Sequence, residues 1–209
     1  MKESSKQVAR REPRQRRSRF TVDSILDAVA VVLKQHGPNA VTTNRISEAA
    51  GFSIGSLYQY FPDKQAIYGA LHERHVNEVR RVIADTVEER FLGSFANFTC
   101  ALVEALAKVH ASDPRLHRLV TALVPEGPAE FRAALHKTFE EVITSADDET
   151  KRMLFVLSGL IESLVHGIAE WPPLISNESA REDAVKIVRL YLGSCPALQM
   201  RPHSPPPIA

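Results

Sequence analysis

Cysteine is scarce in this chain. Cys100 and Cys195 are the only two among 209 residues, they lie far apart, and neither has a CxxC partner. That is too few for a disulfide framework and the wrong spacing for zinc, so both read as reduced thiols. Long apolar runs are missing as well. No uninterrupted segment approaches the ~20 residues of a membrane-spanning helix. The basic N-terminal stretch has no apolar run behind it, so the expected location is cytoplasmic, with no membrane partner. No strand-type alternation competes with helix along the chain. GxGxxG and a Walker-type GKS or GKT are absent, and Ser, His and Asp form no local constellation for nucleophilic catalysis. An enzyme is therefore not expected, and no residue is assigned a catalytic role. The acidic run Asp147 to Glu149 suits the negative start of a helix better than an active site.

What is present is an uneven charge and a helical period. Through Arg81, fourteen Lys/Arg face eight acids, a surplus of six, while the remainder is acidic by five. Clustered Lys/Arg point to a polyanionic partner for the N-terminal part alone. Residues 1–18 are charged and aperiodic, as expected of a basic disordered arm. Residues 195–209 carry Pro196, Pro202, Pro205, Pro206 and Pro207 and read as a second disordered tail. Between the tails, Ile25, Leu26, Val29, Val32 and Leu33 follow the i, i+3, i+4, i+7 rule until Gly37 and Pro38 stop the helix. Further helices are predicted from Asp63 to about Arg90, Ser94 to His110, Pro114 to Leu123, Pro128 to Thr144, Asp147 to Glu170 and Asn177 to Leu192. The fold class is all-α.

The stretch "TTNRISEAAGFSIGSLYQYFPDK", Thr42 to Lys64, holds two unusually short helices. Thr42 or Thr43 caps the first, whose inward residues are Ile46, Ala49 and Ala50, and Gly51 supplies a left-handed exit. Ser53 caps the second, and Leu57 and Phe61 turn one face of it to the core. The opposite face carries Ile54, Gly55, Tyr58 and Gln59, with Ser56 alongside. Such a pair is the helix-turn-helix pattern, whose second helix enters the major groove of double-stranded DNA. The helix starts at Thr43 and Ser53 can hold phosphates, and Tyr58, Tyr60 and Lys64 suit phosphate oxygens flanking the groove. Gln59 can pair with adenine, Ile54 can touch a thymine methyl, and Gly55 permits close approach to a base edge.

Residues 25 to 71, with "TT" before the second helix and "AGFSIGSLYQYFPDK" across the turn, strongly resemble the DNA-binding domain of the TetR/AcrR family of transcriptional regulators. The resemblance implies a three-helix head at residues 19–65 and a helical ligand-binding and dimerisation domain at residues 66–194, assembled as a homodimer on a palindromic operator. It places Thr43, Ser53, Tyr58, Tyr60, Lys64 and Arg19 at phosphates, and Asn44, Arg45, Ile54, Gly55, Ser56 and Gln59 at bases. Repression relieved by a small, mainly apolar inducer is the implied mode. A DNA-binding adaptor or architectural protein without ligand response is the alternative.

For the body, Gly159, Ser163 and Gly167 recur every four residues, a small-residue stripe suited to a dimer interface. Phe95, Phe98, His110, Phe131, Phe155, His166 and Trp171 are the candidate lining of a ligand pocket, with core packing the competing role for the aromatics. His72 and His75 in "HERH" lie one helical turn apart, but Arg74, Arg80 and Arg81 disfavour a cation there. No metal and no cofactor are expected.

Overall fold

The apolar positions of the first periodic segment turn to one side of a helix and disappear from solvent. In the computed structural model, which describes residues 16–88, 93–124, 127–144, 147–170, 177–196 and 198–201, α1 (Arg16–His36) buries Ile25, Leu26, Val29, Val32 and Leu33. Gly37, at φ 77°, ends the helix by donating its N–H to Leu33 O at 2.9 Å. A 3-10 turn at Pro38–Ala40 leads into α2 (Thr43–Ala50), α3 (Ile54–Tyr60) and α4 (Lys64–Glu88). Then follow α5 (Phe95–Ser112), α6 (Pro114–Leu123), α7 (Gly127–Val142), α8 (Asp148–Glu170) and α9 (Asn177–Gly193). Among the described residues the fold is all-α, apart from one isolated antiparallel bridge between Ile143 and Met200.

The described residues divide into two compact units. The first comprises residues 16–77 and 115–124. Its core gathers α1 with Val41, Ile46, Leu57, Phe61, Ala66, Ile67, Tyr68 and Leu71, and α6 adds Val120, with Leu116, Leu119 and Leu123 packed partly buried against it. Arg74 on α4 reaches Asp27 on α1 at 2.6 Å; both are well exposed, so the pair adds alignment more than stability. The head is thus larger than residues 19–65: it takes in α4 through Asn77, and it recruits α6 from far along the chain. Both additions follow from apolar faces that α1 to α3 alone cannot cover.

The second unit takes in the described residues from 78 to 114 and from 127 onward, and is a bundle of α5, α7, α8 and α9 with the end of α4. Leu102, Val103, Leu106 and Ala107 of α5 meet Leu154, Leu157, Ile161 and Val165 of α8 and Ala184 and Val188 of α9 in one core. Phe95, Phe98 and Phe139 form an aromatic cluster within it, with ring centroids 5.6 to 6.4 Å apart. Cys100 is buried there as a free thiol, and Cys195 is partly exposed.

Both expected tails need correction. Helix α1 already begins at Arg16, so Arg16 to Ser18 are helical; arginine is a good helix former and the periodic segment extends back through it. Residues 1–15 lie outside the described residues. At the other end, Leu198 to Arg201 are held in place. Thr144 donates its N–H to Gln199 O at 3.0 Å, Arg201 donates its N–H to Val142 O at 2.8 Å, and the Arg201 side chain reaches Ile143 O. These bonds satisfy main-chain groups just past the end of α7, where a helix leaves its carbonyls open.

Candidate nucleic-acid interface

Two N-caps and one glycine set the geometry of the short helices. The cap of α2 is Thr42, whose hydroxyl accepts the N–H of Arg45 at 3.3 Å; Thr43 is the first helical residue. Of the two candidate caps, Thr42 and Thr43, it is Thr42 that has the extended backbone a cap requires. Gly51, at φ 71°, closes α2, and Phe52 then donates its N–H to Ser47 O at 3.1 Å. Ile46 is buried as expected, whereas Ala49 is exposed and Ser47 takes the inward place beside Ile46.

Ser53 begins α3. Its hydroxyl accepts the Ser56 N–H at 3.0 Å and also lies 2.9 Å from the Ser56 hydroxyl. Leu57 and Phe61, each 1% exposed, anchor one side of the helix in the head core. The other side is open: Ile54 and Tyr58 are 41% and 43% exposed, Gly55 and Gln59 are exposed, and Ser56 and Tyr60 are half-buried. Large apolar and aromatic side chains left in water gain free energy when a partner covers them, and here they alternate with an amide and a bare backbone position. A Cβ built on Gly55 meets only Ser53 Oγ, at 3.8 Å. The fold would therefore accept alanine, and the missing methyl leaves room on the outside.

Around this face stand the remaining DNA candidates. Asn44, Arg45, Arg19 and Lys64 are exposed and Thr43 is half-buried. The Arg45 guanidinium also donates to Ala40 O at 3.4 Å, which steadies it beside the start of α2. Asp63 Oδ1 accepts the Ala66 N–H at 2.8 Å and caps α4, fixing where Lys64 emerges. Lys64 Nζ lies 5.7 Å from the ring centre of Tyr68, whose hydroxyl is pushed up in pKa by burial. A helix pair of this shape, with an open second helix and cationic flanks, matches the major-groove reader.

Residues 25–71 match the family model described as bacterial regulatory proteins, tetR family. Over those residues the chain is similar to the DNA-binding part of TetR-family regulators. A relative from Mycobacterium tuberculosis, an uncharacterised HTH-type transcriptional regulator, is 38% identical over 85 residues, which are 38% of this chain and 42% of that protein. The chain thus spans less than half the length of this curated relative. Solved TetR-like structures extend the likeness of fold to the second unit. A TetR-family regulator from Mesorhizobium loti superposes with a TM-score of 0.65 at 16% identity, covering 86% of this chain and 98% of that one. AibR, solved with isovaleryl coenzyme A and operator DNA, gives 0.59 at 13% identity, covering 80% and 97%.

In the second unit the pocket candidates separate into groups. Phe95 and Phe98 are buried with Phe139 and fill the core. His110, Phe131 and His166 come together, with centroids 4.9 to 5.4 Å apart. Phe155 is 68% exposed on α8, apart from that group, where it lines an open groove with Arg132, His136 and Ser158. Helical spacing told only that Phe155 is apolar; four residues before Gly159, it shares the open flank of α8. Trp171 lies outside the described residues. Of the stripe, Ser163 is exposed and Gly159 and Gly167 are half-buried.

Sequence reasoning missed two features. The exposure of Phe155 was not foreseen, and the exposed apolar residues Val156 on α8 and Ile187 and Leu190 on α9 were not singled out. The i, i+3 spacing of Ile187 and Leu190, off the core face that carries Ala184 and Val188, was the available signal. The second is the edge-on contact of His75 with His117 in the first unit, at 5.0 Å, joining residues too distant in sequence to be paired by spacing.

Proposed function

We propose that this chain is a DNA-binding transcriptional repressor that reads a palindromic operator as a homodimer and lets go when a small, mainly apolar molecule binds its second unit. The observation that carries the reading is the open face of α3: Ile54, Gly55, Tyr58 and Gln59 turned outward by the buried Leu57 and Phe61. On this reading Gln59, Ile54, Gly55, Ser56, Asn44 and Arg45 read bases, and Thr43, Ser53, Tyr58, Tyr60, Lys64 and Arg19 hold phosphates. One short helix touches few bases, so a twofold dimer supplies the second half-site.

The dimer reading draws on α8 and α9. Phe155, Val156, Ile187 and Leu190 are exposed, with Leu190 at 75%, and the small residues Gly159 and Ser163 continue the flank of Phe155. Large exposed apolar side chains beside a small-residue stripe suit a self-complementary helix contact. Ligand response draws on the family and on AibR, which is solved with both an acyl coenzyme A and operator DNA. No described helix is long and apolar enough to cross a membrane, and the proposed place of action is the cytoplasm, where the chromosome lies.

A gel-shift titration on the DNA upstream of the chain's own gene tests the proposal, with and without a panel of apolar compounds. A discrete shift reversed by one of them is expected. A shift that no compound reverses favours the adaptor reading, and no shift on any duplex removes both.

A further inference from the structure

The first cation after α3 is held differently from four other lysines of the chain. Lys108, Lys137, Lys151 and Lys186 each lie against a carboxylate of their own helix, at 2.9, 3.8, 3.4 and 3.0 Å. The ammonium of Lys64 lies instead over an aromatic ring, with Nζ 5.7 Å from the centroid of Tyr68. We propose that Tyr68 is a positioning residue of the DNA interface, holding the Lys64 ammonium ready for a phosphate without cancelling its charge. The proposal rests on the reading of α3 and its flanks as a DNA reader, and it adds to that reading a residue too buried to reach the duplex itself.

Three observations carry this. The first is register. Lys64 and Tyr68 stand at i and i+4 on α4, and helical side chains lean toward the N-terminus, so the ring of the later residue covers the turn that bears the lysine stem. The second is fixity. Tyr68 is 2% exposed in the head core, and its hydroxyl donates to Pro38 O at 3.4 Å, in the turn that follows α1. A buried ring whose hydroxyl has a partner is held at both ends. Asp63 Oδ1, which accepts the Ala66 N–H at 2.8 Å, fixes the backbone from which Lys64 starts.

The third observation is charge. A ring face attracts an ammonium through its quadrupole and leaves the positive charge whole. A carboxylate in the same place would neutralise the lysine and repel a phosphate. Lysine also loses rotamer freedom when a phosphate fixes its long stem, so a stem already laid over a ring binds at a smaller entropic cost. Because Tyr68 is buried, its effect on DNA passes through Lys64. That dependence separates the role from any part Tyr68 has in packing the head.

The test is a double-mutant cycle on the full-length protein, read by fluorescence anisotropy on a labelled duplex from upstream of its own gene and on a random-sequence duplex, since a phosphate contact serves both. Tyr68→Leu should weaken binding by about threefold, the size of a lost exposed cation–π contact, and should change nothing once Lys64→Ala is present. Tyr68→Phe, which keeps the ring, should recover the loss. A second readout needs neither DNA nor a change at Tyr68. In the NMR spectrum of the wild-type protein the ε-methylene protons of Lys64, assigned with Lys64→Arg, should lie upfield of those of the other lysines, because a ring face shields what sits over it. An equal loss from Tyr68→Leu with and without Lys64, or unshifted ε-protons in the wild type, would overturn the role of Tyr68 and leave the DNA reading standing. A wild-type chain that binds no duplex would overturn the reading itself, and this role with it.

Discussion

Gly55 and Gln59 sit one turn apart on the open side of α3, and the two test different things. Gln59→Ala should cost ~1 to 3 kcal/mol on operators bearing the base it reads and nothing elsewhere. Tyr58→Ala should weaken every duplex alike, because a phosphate contact carries no sequence information. Binding curves on a panel of single-base operator variants separate the two, and a uniform loss for Gln59→Ala would remove its reading role. For Gly55→Ala the chain itself has room, since the added methyl meets nothing nearer than 3.8 Å. Its melting temperature should therefore hold while DNA affinity falls about tenfold, the effect of a methyl forced into a close approach. A variant that binds as well as wild type would mean that nothing approaches Gly55 closely.

At the scale of the helix, the sequence was legible wherever the signal was local. Caps, the left-handed glycine at Gly51 and the period of apolar residues gave α5 to α9 nearly to the residue. They also turned Leu57 and Phe61 inward and Ile54, Gly55, Tyr58 and Gln59 outward. What stayed hidden depended on partners far along the chain. The apolar face of α6 could have joined either core, and only the fold assigns Val120 to the head. Phe155 looked like a core residue because a helix with apolar positions on more than one side does not say which side is covered. That ambiguity now has a use. Phe155→Glu together with Leu190→Glu should leave the helical content unchanged and convert a dimer to monomers in sedimentation, since each side chain buries apolar area worth roughly 1.5–3 kcal/mol when covered. A tight dimer in the double variant would place the interface elsewhere.

For the whole molecule, the division of charge matters most. The N-terminal part carries a surplus of six positive charges and the remainder an excess of five negative ones. On the proposed function, this division concentrates attraction to a duplex in the N-terminal part. Removing residues 2–15 leaves α1 intact, because that helix starts at Arg16. The truncated protein should bind DNA more weakly and with a flatter dependence on salt, by about 0.9 in log–log slope for every phosphate that the arm would otherwise neutralise. An unchanged slope would show that the arm touches no phosphate.

The strap from Leu198 to Arg201 also decides where the molecule can be handled. With Gln199 and Arg201 stitched to Val142, Ile143 and Thr144, residue 201 lies beside the end of α7. A fluorophore or surface tether fused there would report on that corner of the bundle, and a fusion made directly after Gly193 would cut the stitching loose.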